Sequence, residues 1–350
     1  MKRSIWIHTG LLVLLLGAAW KVATPADEIK ASSGGVVVLE LDHDELTGLV
    51  FESKKQSVRL EIEALEDARH YAWATLTTRT EVTQPVPTEA VQLETFPGSG
   101  EANEAETQTV TEETVRLFKA GQTVSNLLGK LTPFSAKRLI AQNPDDEALG
   151  KWGLVDDTQS IALLTPSGER HFVLGGKTFR THDRYMLDSA DQSVYLVDGK
   201  TFDILSRSHR SLADKSLLGA KESAISEIQV KGAEKSISLI HQNRADQRSH
   251  KWVLKSGKGN PDSLVDWSKK LLRLLSKAYV QPEDVPTGLT TVLELNGKSD
   301  PGDFTMTLSK GTDPAGDIRW YAESSHTRAL VILDGEIASA LASDFDGLVD

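Results

Sequence analysis

Arg69, Tyr71 and Trp73 stand at alternate positions of "RHYAWATLT", and 179 residues later Arg248, His250 and Trp252 do the same in "RSHKWVLKS". Alternate residues of a strand share one face. Each triplet therefore gathers a guanidinium, a ring and an indole, a set that can hold a sugar or peptide through stacking and cation–π contact. The same residues also read as an Asp-supported turn at Asp67 and Asp246, an arginine over the rim and a tryptophan filling the core. One triplet in each half of the chain favours the scaffold reading, and the six residues stand as a candidate ligand or partner surface.

Other residue types that do chemistry are not spaced to do it. "GGKT" (Gly175 to Thr178) and "DGKT" (Asp198 to Thr201) end like a phosphate loop. That loop needs a further glycine where His171 and Val194 stand, so both are expected to be turns. "DHDE" (Asp42 to Glu45) offers metal-ligand types, but neighbours in an extended chain point to opposite sides, and a solvated run is expected. The histidines form no HExxH or other paired arrangement, and no GxSxG nucleophile motif occurs. There is no cysteine, which removes thiol nucleophiles, disulfides and thiolate metal sites. The sequence therefore predicts no catalytic residue, no metal, no cofactor and no enzymatic activity.

A net charge of −11 without a concentrated basic block argues against a nucleic-acid partner. At the N-terminus, Lys2 and Arg3 precede an apolar run from Ile5 to Trp20, about 24 Å long as a helix. Trp20 and Lys21 fit an interfacial aromatic and a snorkelling cation, so residues 1–21 read as an uncleaved signal anchor. Cleavage after Ala19 is the alternative. Positive charge before the span places the chain in the inner membrane as a single pass, with its bulk in the periplasm.

The elements that carry the two triplets recur. Leu46 to Trp73 aligns without a gap on Ile225 to Trp252, and Leu46, Leu49, Phe51, Val58 and Leu60 meet Ile225, Ile228, Val230, Ile237 and Leu239. Tyr185 to Leu205 aligns on Tyr321 to Leu341, each copy reading as a hairpin, an Asp-Gly turn and a short helix. Just before it, "TQSIALL" and "HFVLGG" resemble "TTVLELN" and "DFTMTLS" at an offset of 132 residues. Between the strand blocks lies a helix whose second copy carries Leu264, Trp267, Leu271, Leu274, Leu275 and Ala278 as an apolar stripe. The fold expected is α+β: two tandem copies of a mixed, mainly antiparallel sheet unit with short packed helices, over residues 22–220 and 221–350. Trp73 is expected to superpose on Trp252, and Tyr185 on Tyr321. Residues 81–115 carry eight Glu and no Lys or Arg, so a mobile acidic insertion is expected there.

From "FKAGQTVSNLLGKL" onward the chain resembles the bacterial domain of unknown function 4340 family. The residues that carry the likeness are Gly153-Leu154, Phe172 to Gly176, and Arg184-Tyr185 through Val194 to Val197, with "AWATL" as a tryptophan-strand element. The proline that usually follows the Gly-Leu pair is missing, with Asp157 nearby. The resemblance covers most of the chain from about residue 40. It implies a membrane-anchored envelope protein of a kind often encoded beside gliding-motility-type exporters, whose ATPase and permease are separate chains. It supplies no catalytic residue. The expected role is a non-catalytic extracytoplasmic accessory or scaffold of an ABC-type transport system, partnered by the permease or another auxiliary subunit. A glycan- or peptide-binding envelope module is the alternative.

Overall fold

The computed structural model describes residues 35–64, 70–85, 107–155, 159–246, 248–257, 261–300 and 302–348. The expected anchor over residues 1–21 lies outside them, and among the described residues no helix is long and apolar enough to cross a membrane. What is described is mainly antiparallel sheet with short helices, an α+β fold.

The first sheet is built from β2 (Gly48–Ser53), β3 (Gln56–Ala64), β4 (His70–Pro85), β5 (Thr107–Lys119), β7 (Arg138–Gln142), β8 (Gln159–Thr165), β9 (Gly168–Lys177), β10 (Asp183–Asp188) and β11 (Ser193–Asp198). Their order across the sheet is β5-β4-β3-β2-β8-β9-β10-β11-β7. A short separate ladder joins β1 (Val36–Leu39) to β6 (Phe134–Ala136). The second sheet comprises β12 (Ile225–Lys231), β13 (Ser236–Gln242), β14 (Lys251–Leu254), β15 (Ser276–Tyr279), β16 (Thr287–Ser299), β17 (Phe304–Thr312), β18 (Ile318–Ser324) and β19 (Val331–Leu333). Its order is β14-β13-β12-β16-β17-β18-β19-β15, the same path as the first sheet from β4 to β7. The fold is duplicated, and β5 is the strand the first copy adds at its edge.

Register tests the duplication strand by strand. Leu49 pairs with Leu60 as Ile228 pairs with Leu239, and Tyr185 pairs with Leu196 as Tyr321 pairs with Ile332, both as the alignments predict. The offset of 132 residues needs correction: Leu49 faces Leu163 where Ile228 faces Gly297, so the true displacement is two residues greater. An even slip leaves every side chain on its own face. The space that the Leu163 side chain takes in the first copy is covered in the second by the Phe304 ring, which lies where a Cβ on Gly297 would stand.

The tryptophan match fails by an odd step. Ile62 faces Ala72 in the first sheet, whereas its counterpart His241 faces Trp252 in the second. Trp252 is therefore the equivalent of Ala72, not of Trp73. A one-residue slip moves a side chain through the sheet. Trp252 and Leu254 fill their own core, whereas Ala72 and Ala74 do so in the first copy and leave Trp73 on the opposite face.

One further expectation changes. The acidic strip is not loop at its ends: 81–85 belong to β4 and 107–115 to β5, paired from Glu81 to Thr111 through Pro85 to Thr107. Alternating Thr and Val suits a pleated strand, and Arg79 bonds Glu113 across the pair at 3.0 Å. Residues 86–106 lie outside the described residues. The Asp-Gly pairs stand where expected, between a strand pair and a short helix. The Asp198 carboxylate accepts from the Lys200 amide at 3.1 Å, and that of Asp334 from the Glu336 amide at 3.1 Å, capping helices Gly199–Asp203 and Gly335–Asp346. "GGKT" runs through the end of β9, and His43–Glu45 form one 3-10 turn.

Candidate functional site

The face that β4 turns away from its own core meets the second copy. There Trp73 packs edge-on against Tyr71, with centroids 6.4 Å apart, and against Tyr279 of β15 at 6.3 Å. Arg328 lies over the Tyr71 ring at 4.6 Å, while the Tyr71 hydroxyl donates to Glu63. Arg69, the third member of the predicted triplet, lies outside the described residues. In this copy the ring and the indole are joint residues, and the nearer cation on the tyrosine, Arg328, comes from the other half of the chain, with Lys119 at 5.8 Å.

Beside them runs a partly buried polar network. Lys119, at the end of β5, donates to the His326 carbonyl at 2.7 Å and to Nδ1 of the His326 ring at 3.2 Å. The opposite ring nitrogen, Nε2, donates to Asp214 Oδ2 at 2.8 Å, and Lys119 Nζ is 3.8 Å from the same oxygen. Lys119 is only 5% exposed, and a carboxylate and a carbonyl lie against its amino group, the partners a buried ammonium needs. Burial pushes the Asp214 carboxyl up, but the hydrogen bond from His326, the Ser216 amide and the nearby Lys119 outweigh it and hold it below its ordinary value. Gly219, at φ +68°, leaves room for the imidazole: a Cβ there would stand 2.2 Å from His326 Nδ1. Gln281 closes the edge of β5 by accepting from the Leu117 amide at 2.7 Å and donating to the Leu117 carbonyl at 3.1 Å, as a neighbouring strand would. A cleft of about 170 Å³ opens over this joint between Tyr71, Lys119, Ser299, Ser325, His326 and Arg328. Lys119, His326 and Asp214 are turned on one another there, which ties the two sheets together.

The second triplet is arranged otherwise. Arg248 lies in the turn that Asp246 supports, its amide donating to Asp246 Oδ1 at 2.9 Å. His250 and Trp252 are brought together with two residues the sequence did not single out, His241 and Glu222. Trp252 stacks on the His241 ring, centroids 4.4 Å apart and planes 14° from parallel, and its Nε1–H donates to Glu222 Oε1 at 3.2 Å. His241 Nε2 lies 3.1 Å from His250 Nδ1. This pairing was invisible as a motif because the two histidines are nine residues apart across a hairpin turn. The signal available was their placement at the facing ends of two strands.

A family model described as a domain of unknown function, DUF4340, matches residues 119–292. The span begins at Lys119 and takes in the joint residue Asp214 together with Glu222, His241, His250 and Trp252. It is narrower than the resemblance expected from residue 40, and "AWATL" falls before it. No curated protein and no solved structure matches the chain.

Proposed function

The chain belongs to the DUF4340 family through residues 119–292, and from that premise we propose that it is a non-catalytic accessory subunit of an ABC-type envelope transporter. In this reading residues 1–21 anchor it in the inner membrane and its bulk stands in the periplasm. The observation that carries the reading is the Lys119–His326–Asp214 joint. It spends its polar groups on holding two sheets as one body, which suits a protein that acts by presenting a surface. An anchor confines that surface to the membrane plane and raises its effective concentration near a membrane partner, so even a weak contact is populated. The full chain should co-purify with a permease from detergent-solubilised membranes, and recovery should fall when residues 1–21 are replaced by a cleavable signal. Equal recovery from the two forms would remove the anchored-accessory reading.

A second reading, an anionic glycan or peptide ligand, is favoured by one feature. Arg116, His209, Arg210, Lys215 and Lys277 surround a small pocket at the Tyr279 end of the joint in a chain of net charge −11. The local field is positive: burial first, then Arg116, Arg210 and Lys215, hold the His209 imidazole below its usual value. The Tyr279 hydroxyl is buried there with no hydrogen-bond partner among the described residues. In-cell crosslinking that captured only glycan or peptide fragments, and never a permease, would favour this reading over the first.

A further inference from the structure

The Glu222, His241 and His250 side chains present one ligand atom each, all within 4.8 Å of one another. From this geometry we infer a binding site for a single divalent transition-metal ion of the zinc, nickel or copper class. Two imidazole nitrogens and one carboxylate oxygen are the donor set such ions take, whereas calcium and magnesium take oxygen ligands.

The second layer of contacts is what distinguishes the cluster from three neighbouring polar residues. His241 is 6% exposed, and its Nδ1 lies 3.0 Å from the Ile225 carbonyl. A carbonyl can only accept, so Nδ1 carries the proton and Nε2 presents its lone pair to the site, the arrangement of a metal-ligating histidine oriented from behind. The stacked Trp252 indole fixes the plane of that ring, and the same indole donates to Glu222 and orients the carboxylate. His250 completes the set with Nδ1 at 3.1 Å from His241 Nε2 and 3.9 Å from Glu222 Oε1. An ion with bonds of about 2.0–2.1 Å in tetrahedral geometry holds its ligand atoms roughly 3.3 Å apart, between those two separations; the third, from Glu222 to His241, lies within 4.8 Å, and the partly exposed Glu222 carboxylate swings inward to close it. Without an ion, His250 Nδ1–H donates to the His241 Nε2 lone pair; an ion takes the place of that proton, and His250 then carries its hydrogen on Nε2.

Charge and access agree. Arg244 borders the same hollow, but its guanidinium is engaged by the Ala224 carbonyl at 3.0 Å and by Asp300 at 3.2 Å. The Glu222 and His250 side chains are 40% and 34% exposed, so an ion can enter and a fourth coordination position faces solvent. The three ligands come from the turn before β12, the end of β13 and the residue before β14, so a bound ion clasps the β13–β14 edge of the second sheet to the connector that enters it.

Equilibrium dialysis of the EDTA-treated full chain against Zn²⁺, with elemental analysis, tests the site. Expected is one equivalent of saturable Zn²⁺ that millimolar Ca²⁺ or Mg²⁺ does not displace, with affinity at least tenfold weaker in both His250→Ala and Glu222→Gln. Both residues are partly exposed, and metal-free thermal unfolding checks that the variants are folded. Should either variant misfold, His250→Gln and Glu222→Ala take its place under the same criterion. No saturable binding, or a loss of less than tenfold in either folded variant, overturns the inference. Neither result bears on the transporter reading, which does not use the metal.

Discussion

Replacing Trp267 by alanine should cost the fold roughly 3–5 kcal/mol, the range for truncating a large buried aromatic. The indole lies on helix Pro261–Arg273 and is fully buried. It tilts against Phe345 with centroids 6.0 Å apart, and its Nε1–H donates to the Leu341 carbonyl at 2.8 Å. Helix Pro261–Arg273 is thereby held to helix Gly335–Asp346, and both to the second sheet. Alanine leaves a cavity that the surrounding strands cannot close, because their register is fixed on both sides. Trp267→Phe keeps most of the volume and loses the hydrogen bond, so it should cost less, with about 1 kcal/mol of that loss belonging to the bond. Urea unfolding checks both: the midpoint should fall in the order wild type, Phe, Ala with an unchanged slope. Equal midpoints for alanine and wild type would mean that the helix pair contributes nothing to global stability.

Asp214→Asn should cost about 2–3 kcal/mol near neutral pH, because it leaves the buried Lys119 without its carboxylate while the His326 carbonyl still accepts from it. The effect should depend on pH in a defined direction. The folded-state pKa of Asp214 lies below the unfolded value of about 3.9. The carboxylate therefore stabilises the fold fully above the unfolded pKa, and that contribution disappears as pH falls through the folded pKa. The difference in unfolding free energy between wild type and Asp214→Asn should be full at pH 6–7 and shrink steadily below about pH 4. A difference that stayed constant down to pH 2 would show that the charge on Asp214 is not what holds the joint.

The duplicated sheet was legible because burial wrote it twice in the same alternation. Leu49, Phe51, Val58 and Leu60 are all buried, and so are Ile228, Val230, Ile237 and Leu239. The sequence match of Trp73 to Trp252 was misleading for a reason internal to strands: identity counts positions along the chain, whereas the sheet counts partners across it, and the loops before β4 and β14 absorb one residue differently. The consequence is large, since Trp252 fills a core while Trp73 faces the other copy. Composition also misread the two ends of the acidic strip, 81–85 and 107–115, where repulsion among Glu residues was weighed and the Thr–Val alternation was not. The joint was hidden altogether. Lys119, Asp214 and His326 are each unremarkable in sequence, and only the docking of one copy on the other brings residues more than 90 positions apart together. For Glu222, His241 and His250, spacing across a hairpin and a connector carries no motif, although Trp252 did point to the neighbourhood.

Leu154, Leu187 and Val194 form a small separate cluster, and the main core cluster takes in buried apolar residues of both sheets, with Leu212, Leu217 and Tyr279 among them. With the Lys119–His326–Asp214 network, this makes the two copies a single cooperative body. Fluorine NMR of the chain labelled with fluorotryptophan reads that directly, because Trp73 and Trp152 report on the first sheet and Trp252, Trp267 and Trp320 on the second. Across a urea titration, all five native signals should disappear at one midpoint. Loss of the Trp252, Trp267 and Trp320 signals at a midpoint separate from that of Trp73 and Trp152 would contradict the joined body, and with it the rigid surface on which the accessory role rests.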